Sequence, residues 1–220
     1  MARTRQMLPR LWLMTDERLG GLSPDDPLWR AVARLPRGAG IVLRHHGWPQ
    51  KQRRQLAKAL RQEAQRRGLV LVAARPRGLG RMDGVHWHRG APAHRSGVIT
   101  ASAHNAREVR DAVRRGAMLV FLSPVFPTRS HPGAASLGPL RFGLIRRGID
   151  APVIALGGMD EQRWRRLLSL GADGFAAIDY WADFADCGRK IVSSACQPGM
   201  SPGEDGCLMA RSPASIAASA

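Results

Sequence analysis

Residues 152–178 read PVIALGGMDEQRWRRLLSLGADGFAAI, and this stretch decides the fold. It opens with a short apolar run, PVIALGG, of the kind found in strands buried on both faces of a parallel sheet. Asp160 then offers an N-cap. Trp164, Leu167, Leu168 and Gly171 follow at i, i+3, i+4 and i+7, and Gly171 closes the helix. A second apolar run, GFAAID, begins almost at once. Strand, helix and strand within roughly thirty residues make one βα repeat of a parallel sheet.

Moving outward, the same alternation covers most of the chain. The strand-like runs are LWLMTD (11–16), GIVLRH (40–45), LVLVAA (69–74), GVHWH (84–88), VITASA (98–103), MLVFLS (118–123), PVIALGG (152–158) and GFAAID (174–179). Eight such runs predict a (β/α)8 TIM barrel. A helix is expected over 50–67, with Leu56, Ala59, Leu60, Glu63 and Ala64 on one face and Gly68 as the stop. Another is expected over 105–115, capped by Asn105, with Ala106, Val109, Ala112 and Val113 as its stripe. The phrases Gly116-Ala117 and Gly171-Ala172 repeat at two helix-to-strand junctions. Only RPRGLGRMD (75–83) separates strands three and four, and only RGAPAHRSG (89–97) separates four and five. The helices after strands 3 and 4 are therefore predicted to be reduced or absent. The barrel is placed at 8–181. Residues 182–220, rich in Ser, Ala, Gly and Pro, are expected to be an irregular, largely disordered tail with a short helix near 182–194.

A chain of 220 residues holds one such domain, and 44% apolar content is ordinary for a globular protein. No apolar run approaches the roughly 20 residues needed to span a bilayer. LWLM is too short for a signal peptide core, so the expected location is the cytoplasm. The formal net charge is +17. Its carriers are almost all Arg, with Lys only at 51, 58 and 190, and they are spread over several helix faces instead of forming one run with interleaved aromatics. Neither a specific nucleic-acid partner nor a membrane partner is expected, and self-association into a homo-oligomer is left open. Cys187, Cys196 and Cys207 have the spacing of neither a zinc site nor a redox pair.

Several residues carry chemistry in their own right. Gly157-Gly158 directly follows an apolar strand, and with no Cβ its amides allow an anion to approach closely. The loops after strands seven and eight are the usual phosphate site of a barrel, so Gly157, Gly158 and the backbone of Ile178 are the expected phosphate grip. The 124–133 loop carries Thr128, Arg129, Ser130 and His131, with Gly133 behind them. Hydroxyls and a guanidinium suit an anionic ligand, and Pro124, Pro127 and Pro132 stiffen the segment. Arg44 ends the second strand, and Ser102 and His104 follow the fifth strand in the same way. His45 and His46 have no paired carboxylate nearby in sequence and read as plain loop residues. His86 and His88 face one side of the fourth strand without a third zinc ligand. No metal site and no cofactor motif is evident.

LSPVFPTRSHPGAASLGPLRF (122–142) resembles the G-P-V-F-x-T-x-[ST]-K-x-G loop of the thiamine phosphate synthase/TenI family. PVIALGGM (152–159) and LGADGFAAI (170–178) resemble that family's paired motifs after strands seven and eight. Weaker echoes are MTD (14–16), DGVHW (83–87) and SAHNAREV (102–109). The resemblance runs from about 11 to 181. It implies a TIM-barrel enzyme of thiamine biosynthesis that binds a small phosphorylated heterocycle, a thiazole phosphate, at its C-terminal face. In a synthase, an aminopyrimidine diphosphate is the second substrate. On this pattern Thr128 and Ser130 contact the heterocycle or phosphate, Arg44 and Ser102 serve the pyrimidine side, and His104 or His131 moves a proton.

The pattern is also broken in places. A family synthase holds Mg²⁺ on an Asp after the third strand and another after the fourth, with lysines assisting. Here the first position reads Ala74-Arg75, and the fourth-strand segment reads His86-Trp87-His88-Arg89-Gly90-Ala91-Pro92 with no acid. Val42 and His46 replace a Gln and a Lys beside Arg44, and His131 replaces the loop Lys. The TenI-type tautomerase histidine before Val-Phe is Pro124. Asp179 stands where the family has a small hydroxyl residue near the phosphate, and it would repel an anion unless paired with Arg. Tautomerase activity and a non-catalytic, ligand-binding role are therefore the alternatives.

Overall fold

The computed structural model describes residues 8–87, 97–129, 133 and 135–182. Ser130, His131, Pro132, the segment from His88 to His94, the three cysteines and the expected tail beyond Ala182 lie outside the described residues.

Parallel strands follow the chain in order around a closed ring. They are β1 (Leu11–Met14), β2 (Gly40–Leu43), β3 (Val70–Ala74), β4 (Gly84–Trp87), β5 (Val98–Ala103), β6 (Leu119–Leu122), β7 (Val153–Leu156) and β8 (Gly174–Ala177). The ring closes where Leu13 of β1 pairs with Ala177 of β8. All eight strand-like runs form strands; β3 and β5 end with their runs, and the others end one or two residues earlier. The helices among the described residues are α1 (Pro27–Arg34), α2 (Gln50–Arg67), α3 (Ala106–Arg114), α4 (Gly138–Arg146), α5 (Glu161–Leu167) and the short α6 (Asp179–Ala182). The expected caps act as such: Asn105 Oδ1 accepts the Glu108 N–H at 2.9 Å, and Asp160 Oδ1 accepts that of Arg163 at 2.7 Å. The periodicity argument did not single out α1 and α4, each of which carries a proline in its first turn.

The barrel interior is filled by side chains from strands that are not neighbours. Trp12 on β1 meets Phe121 on β6 edge-on at 5.3 Å, and His86 on β4 meets the same ring at 5.5 Å. Such contacts are possible only through the lumen, which is therefore a packed core. Trp12 lies over Gly40, where a Cβ would come within 2.2 Å of the indole.

The buried stripe of α2 differs from the expected one. Arg53, Leu56, Ala57, Leu60 and Ala64 are buried, while Ala59 and Glu63 are half-exposed. The reason lies in the connection that follows β3. Residues 75–83 contain no helix, as the short spacing predicts, and α2 covers them with long side chains. Arg53 Nη2 donates to the Ala74 carbonyl at 2.7 Å, Gln50 Nε2 to that of Arg77 at 2.7 Å, Arg54 Nε to that of Gly78 at 2.7 Å, and Arg61 Nη1 to that of Arg81 at 3.3 Å. These donors satisfy carbonyls that a crossover helix would have paired internally. Other arginines are used alike: Arg67 donates to the carbonyls of Val32, Ala33 and Leu35 at the end of α1, and Arg146 to that of Gly171. Much of the positive charge thus holds backbone together. No helix among the described residues is long and apolar enough to cross a membrane.

Candidate active site

Parallel strands bring all eight of their C-terminal ends to one rim, and the loops that carry the described candidate residues leave from it. The Gly157-Gly158 turn after β7 and the 124–129 segment after β6 are in direct contact. The Val125 N–H donates to the Leu156 carbonyl at 2.9 Å and the Phe126 N–H to that of Gly157 at 3.1 Å. A Cβ on Gly157 would lie 2.8 Å from Pro124 Cα, and one on Gly158 would lie 2.3 Å from the Pro127 carbonyl oxygen. The amides of Gly157, Gly158 and Ile178 donate to no backbone carbonyl among the described residues. Thr128 is half-buried and Arg129 exposed beside this turn. Gly133 has φ +77°, with nothing near its missing Cβ, and so marks a turn rather than a close approach.

Asp179 follows β8 directly, and its charge is neutralised in place. Oδ2 accepts from Arg129 Nε at 3.2 Å, and Oδ1 lies 3.5 Å from an Arg18 nitrogen. Arg18 also forks onto Asp16, with Nη2–Oδ2 at 2.8 Å, and Arg44 Nη2 lies 3.9 Å from the same Asp16 oxygen. The sequence Arg129, Asp179, Arg18, Asp16, Arg44 therefore forms a belt across the loops after β6, β8, β1 and β2. Arg129 and Arg18 are 66% and 49% exposed, and such pairs contribute about 0–1 kcal/mol each. What the belt provides is placement of charge, not stability.

Arg44 is aimed along this belt by its own backbone surroundings. Its Nε donates to the Thr15 carbonyl at 2.9 Å, and its N–H donates to Thr15 Oγ1 at 3.1 Å. The Thr15 hydroxyl donates to His45 Nδ1 at 3.0 Å, and His45 Nε2 donates to the Gly20 carbonyl at 2.9 Å. His45 is fully buried, and burial lowers its pKa below the ordinary 6.5, with the Gly20 hydrogen bond opposing. It is a neutral structural residue, as its reading as a plain loop histidine implied.

A second histidine lies beneath Ser102. Thr100 Oγ1 donates to the Val85 carbonyl at 3.3 Å, so His86 Nδ1–H donates to Thr100 Oγ1 at 3.0 Å. His86 Nε2 then accepts from the Ser102 hydroxyl at 3.0 Å. Alternation along β4 and β5 points all three side chains into the lumen. His104 is exposed at the end of β5, and its Nδ1 donates to the Ser123 carbonyl at 2.7 Å, linking the loops after β5 and β6. That tautomer leaves Nε2 as the nitrogen able to take up a proton.

Sequence reasoning gave no role to Asp16 or Arg18 and did not find the pairing of His86 with Ser102. The available signals for Asp16 were the MTD echo at 14–16 and its position directly after the first strand. A separate open groove of 580 Å³, lined by Gly21, Leu22, Pro24, Trp29, Gln55 and Ala59, includes none of the candidate residues. Among the described residues no three His, Cys, Asp or Glu side chains are grouped to hold a metal ion.

A family model described as thiamine monophosphate synthase matches residues 12–180. A thiamine-phosphate synthase of Geobacillus thermodenitrificans is 36% identical over 86 residues, covering 37% of this chain and 38% of that protein. One of Listeria monocytogenes is 33% identical over 104 residues, covering 46% and 48%. The matched segments thus span less than half the length of these curated relatives. Among solved structures, a thiamine phosphate pyrophosphorylase from Pyrococcus furiosus superposes with a TM-score of 0.63 at 24% identity, over 78% of this chain and 86% of that one. One from Bacteroides thetaiotaomicron gives 0.55 at 18% identity, over 83% and 89%. These two likenesses establish the barrel fold. The match over residues 12–180, on a closed eight-stranded ring, shows that the chain belongs to the thiamine monophosphate synthase (TMP-TENI) family.

Proposed function

We propose that this chain is a transferase of the thiamine phosphate synthase kind, taking a thiazole phosphate and an aminopyrimidine diphosphate at its C-terminal rim. The observation that carries this reading is the meeting of the Gly157-Gly158 turn with the 124–129 segment. Bare amides and a proline-stiffened loop form one wall there, suited to a phosphate monoester. In this reading Gly157, Gly158 and Ile178 grip the phosphate. Thr128, Arg129 and Ser130 hold the thiazole side, and Arg44 and Ser102 face the pyrimidine. Ser102 is held by His86, so its hydroxyl is oriented before substrate arrives.

Magnesium, which a family synthase uses, does not fit the residues described. The position after β3 holds Ala74 and Arg75, and among the described residues no carboxylate cluster replaces them.

Thermal denaturation with thiazole phosphate tests the binding, and growth of a thiamine auxotroph lacking its synthase tests the reaction. A raised melting temperature that is lost in Gly158→Val, together with growth, supports the reading. Unchanged melting overturns it. Melting raised without growth favours a ligand-binding protein that has lost the chemistry.

A second reading, thiazole tautomerisation, is favoured by His104. Its Nδ1 hydrogen bond to Ser123 presents a proton acceptor beside the β6 loop, where general base work would be needed. Loss of tautomer exchange in His104→Gln, with thiazole phosphate binding retained, would support it.

A further inference from the structure

Three carbonyls in a row are pinned where the chain leaves β7. The Leu156 carbonyl accepts from the Val125 N–H, the Gly157 carbonyl from the Phe126 N–H, and the Gly158 carbonyl from Arg163 Nη1. Along a strand, successive carbonyls point to alternate sides. Here φ of +94° at Gly157 and +58° at Gly158 turns them to one side, that of the segment after β6. Two of the donors belong to that segment, and the third lies against it, with the Arg163 guanidinium carbon 5.2 Å from the centre of the Phe126 ring. A peptide group is planar and trans, so each held carbonyl aims the next residue's N–H the opposite way. The amides of Gly157, Gly158 and Met159 therefore turn away from the β6 segment. β7 lies between β6 and β8, so they turn to the side on which the Ile178 amide follows β8. None of these four amides donates to a backbone carbonyl among the described residues.

Of the three donors, only Arg163 is a side chain. It is held from several directions: its own N–H donates to Asp160 Oδ1 at 2.7 Å, its Nε lies 3.7 Å from Asp160 Oδ2, and its face rests on Phe126. A guanidinium can donate in its plane while its face covers a ring, which an ammonium cannot do. Glycine does not fix the orientation of the peptide that follows it, so the Gly158–Met159 peptide needs that donor. The Met159 side chain is buried in the core and anchors the far end of the turn. We infer that Arg163 is a positioning residue, which holds the Gly158 carbonyl and so aims the Met159 amide at the same anion as the Gly157 and Gly158 amides. The inference deepens the proposed function and rests on its phosphate grip.

Calorimetric titration of the full chain with thiazole phosphate, followed also through backbone amide proton shifts, tests this. Arg163→Lys keeps the charge and loses the planar fork, and Arg163→Ala loses both. Arg165→Ala, on the same helix, removes an exposed guanidinium that pairs with Glu161 and touches no part of the turn. In the parent, the Gly157, Gly158 and Met159 amide protons should all move downfield on binding. In Arg163→Lys and Arg163→Ala the Met159 shift should vanish and affinity should fall about tenfold, while Arg165→Ala stays within about twofold of the parent. Parent affinity in Arg163→Lys overturns the inference, since charge alone would then suffice. So does a lowered melting temperature with affinity unchanged, which would make Arg163 a brace of the fold only. Thiazole phosphate that moves the two glycine amides but not Met159, with affinity indifferent to Arg163, sinks the inference and leaves the proposed function standing. Inorganic phosphate that moves all three amides in an Arg163-dependent way, with thiazole phosphate bound no more tightly, supports the inference and sinks the proposed function alone.

Discussion

Replacing Gly158 by Ala gives the most direct test of how the rim is built, because the structure supplies its own control at Gly148. Both glycines are left-handed, with φ +58° at Gly158 and +71° at Gly148. An alanine at either position incurs a conformational cost of about 1–2 kcal/mol. At Gly148, on the opposite face of the barrel between α4 and β7, the new methyl meets nothing within 4 Å. At Gly158 it meets the Pro127 carbonyl oxygen at 2.3 Å and Phe126 Cβ at 3.0 Å. Restoring ordinary contact requires roughly 1 Å of backbone separation between the two loops, and overpacking of this kind costs about 1–3 kcal/mol more. Gly158→Ala should therefore lose about 2–5 kcal/mol and Gly148→Ala about 1–2 kcal/mol. For a barrel of this size each kcal/mol lowers the melting temperature by about 2–4 °C. Urea and thermal denaturation of the two variants side by side give the comparison. Equal losses within about 0.5 kcal/mol would show that residues 124–127 do not press on the turn, and the proposed site would lose its wall.

The remaining predictions concern pH, charge and the strand bases. His45 is neutral when folded and its pKa is depressed by burial, so the unfolded chain binds the extra proton; stability should fall as pH drops from about 7.5 to 5.5. His45→Asn, which tolerates the left-handed φ of +35°, should flatten that slope in pH-dependent denaturation while costing about 1–3 kcal/mol for the lost hydrogen bonds. Asp26, held below its ordinary 3.8 by the N–H groups of Gly21 and Ser23, adds a separate loss only at more acid pH. Asp179→Ser removes one negative charge beside Arg129 and Arg18, and equilibrium binding of inorganic phosphate should tighten by about fivefold, the effect of about 1 kcal/mol from one nearby charge; unchanged affinity would place the phosphate away from Asp179. Asp83 and Asp173 stand before β4 and β8, each with Oδ2 accepting a strand N–H, Leu71 and Val153 respectively, at 2.8 Å. Alanine at either should cost about 1–3 kcal/mol in denaturation and leave ligand affinity untouched, since both lie on the face opposite the rim.

These two aspartates show how a family-like motif divides between fold and function. DGVHW and LGADGFAAI resemble family motifs, yet their acids Asp83 and Asp173 bind strand N–H groups on the barrel's underside, away from the rim. Local physics made the ring legible in advance. Apolar runs of five to seven residues bounded by turn signals read as strands buried on both faces, Asn105 and Asp160 cap because their side chains reach an N–H three residues on, and a nine-residue spacing at 75–83 leaves no room for a crossover helix. Each of these depends only on neighbours in the chain, and so the sequence by itself determined the number, order and approximate edges of the strands. What it left undetermined is where long side chains end. Arg53 reaches the carbonyls after β3, Arg129 finds Asp179 fifty positions away, and the Ser102 hydroxyl settles on His86 across two strands. No periodicity encodes such meetings, because an arginine chooses its partner among all acceptors that closure of the ring brings within a side chain's length. Only the tertiary structure decided that Asp179 is paired with arginines and that His45 is buried between Thr15 and Gly20.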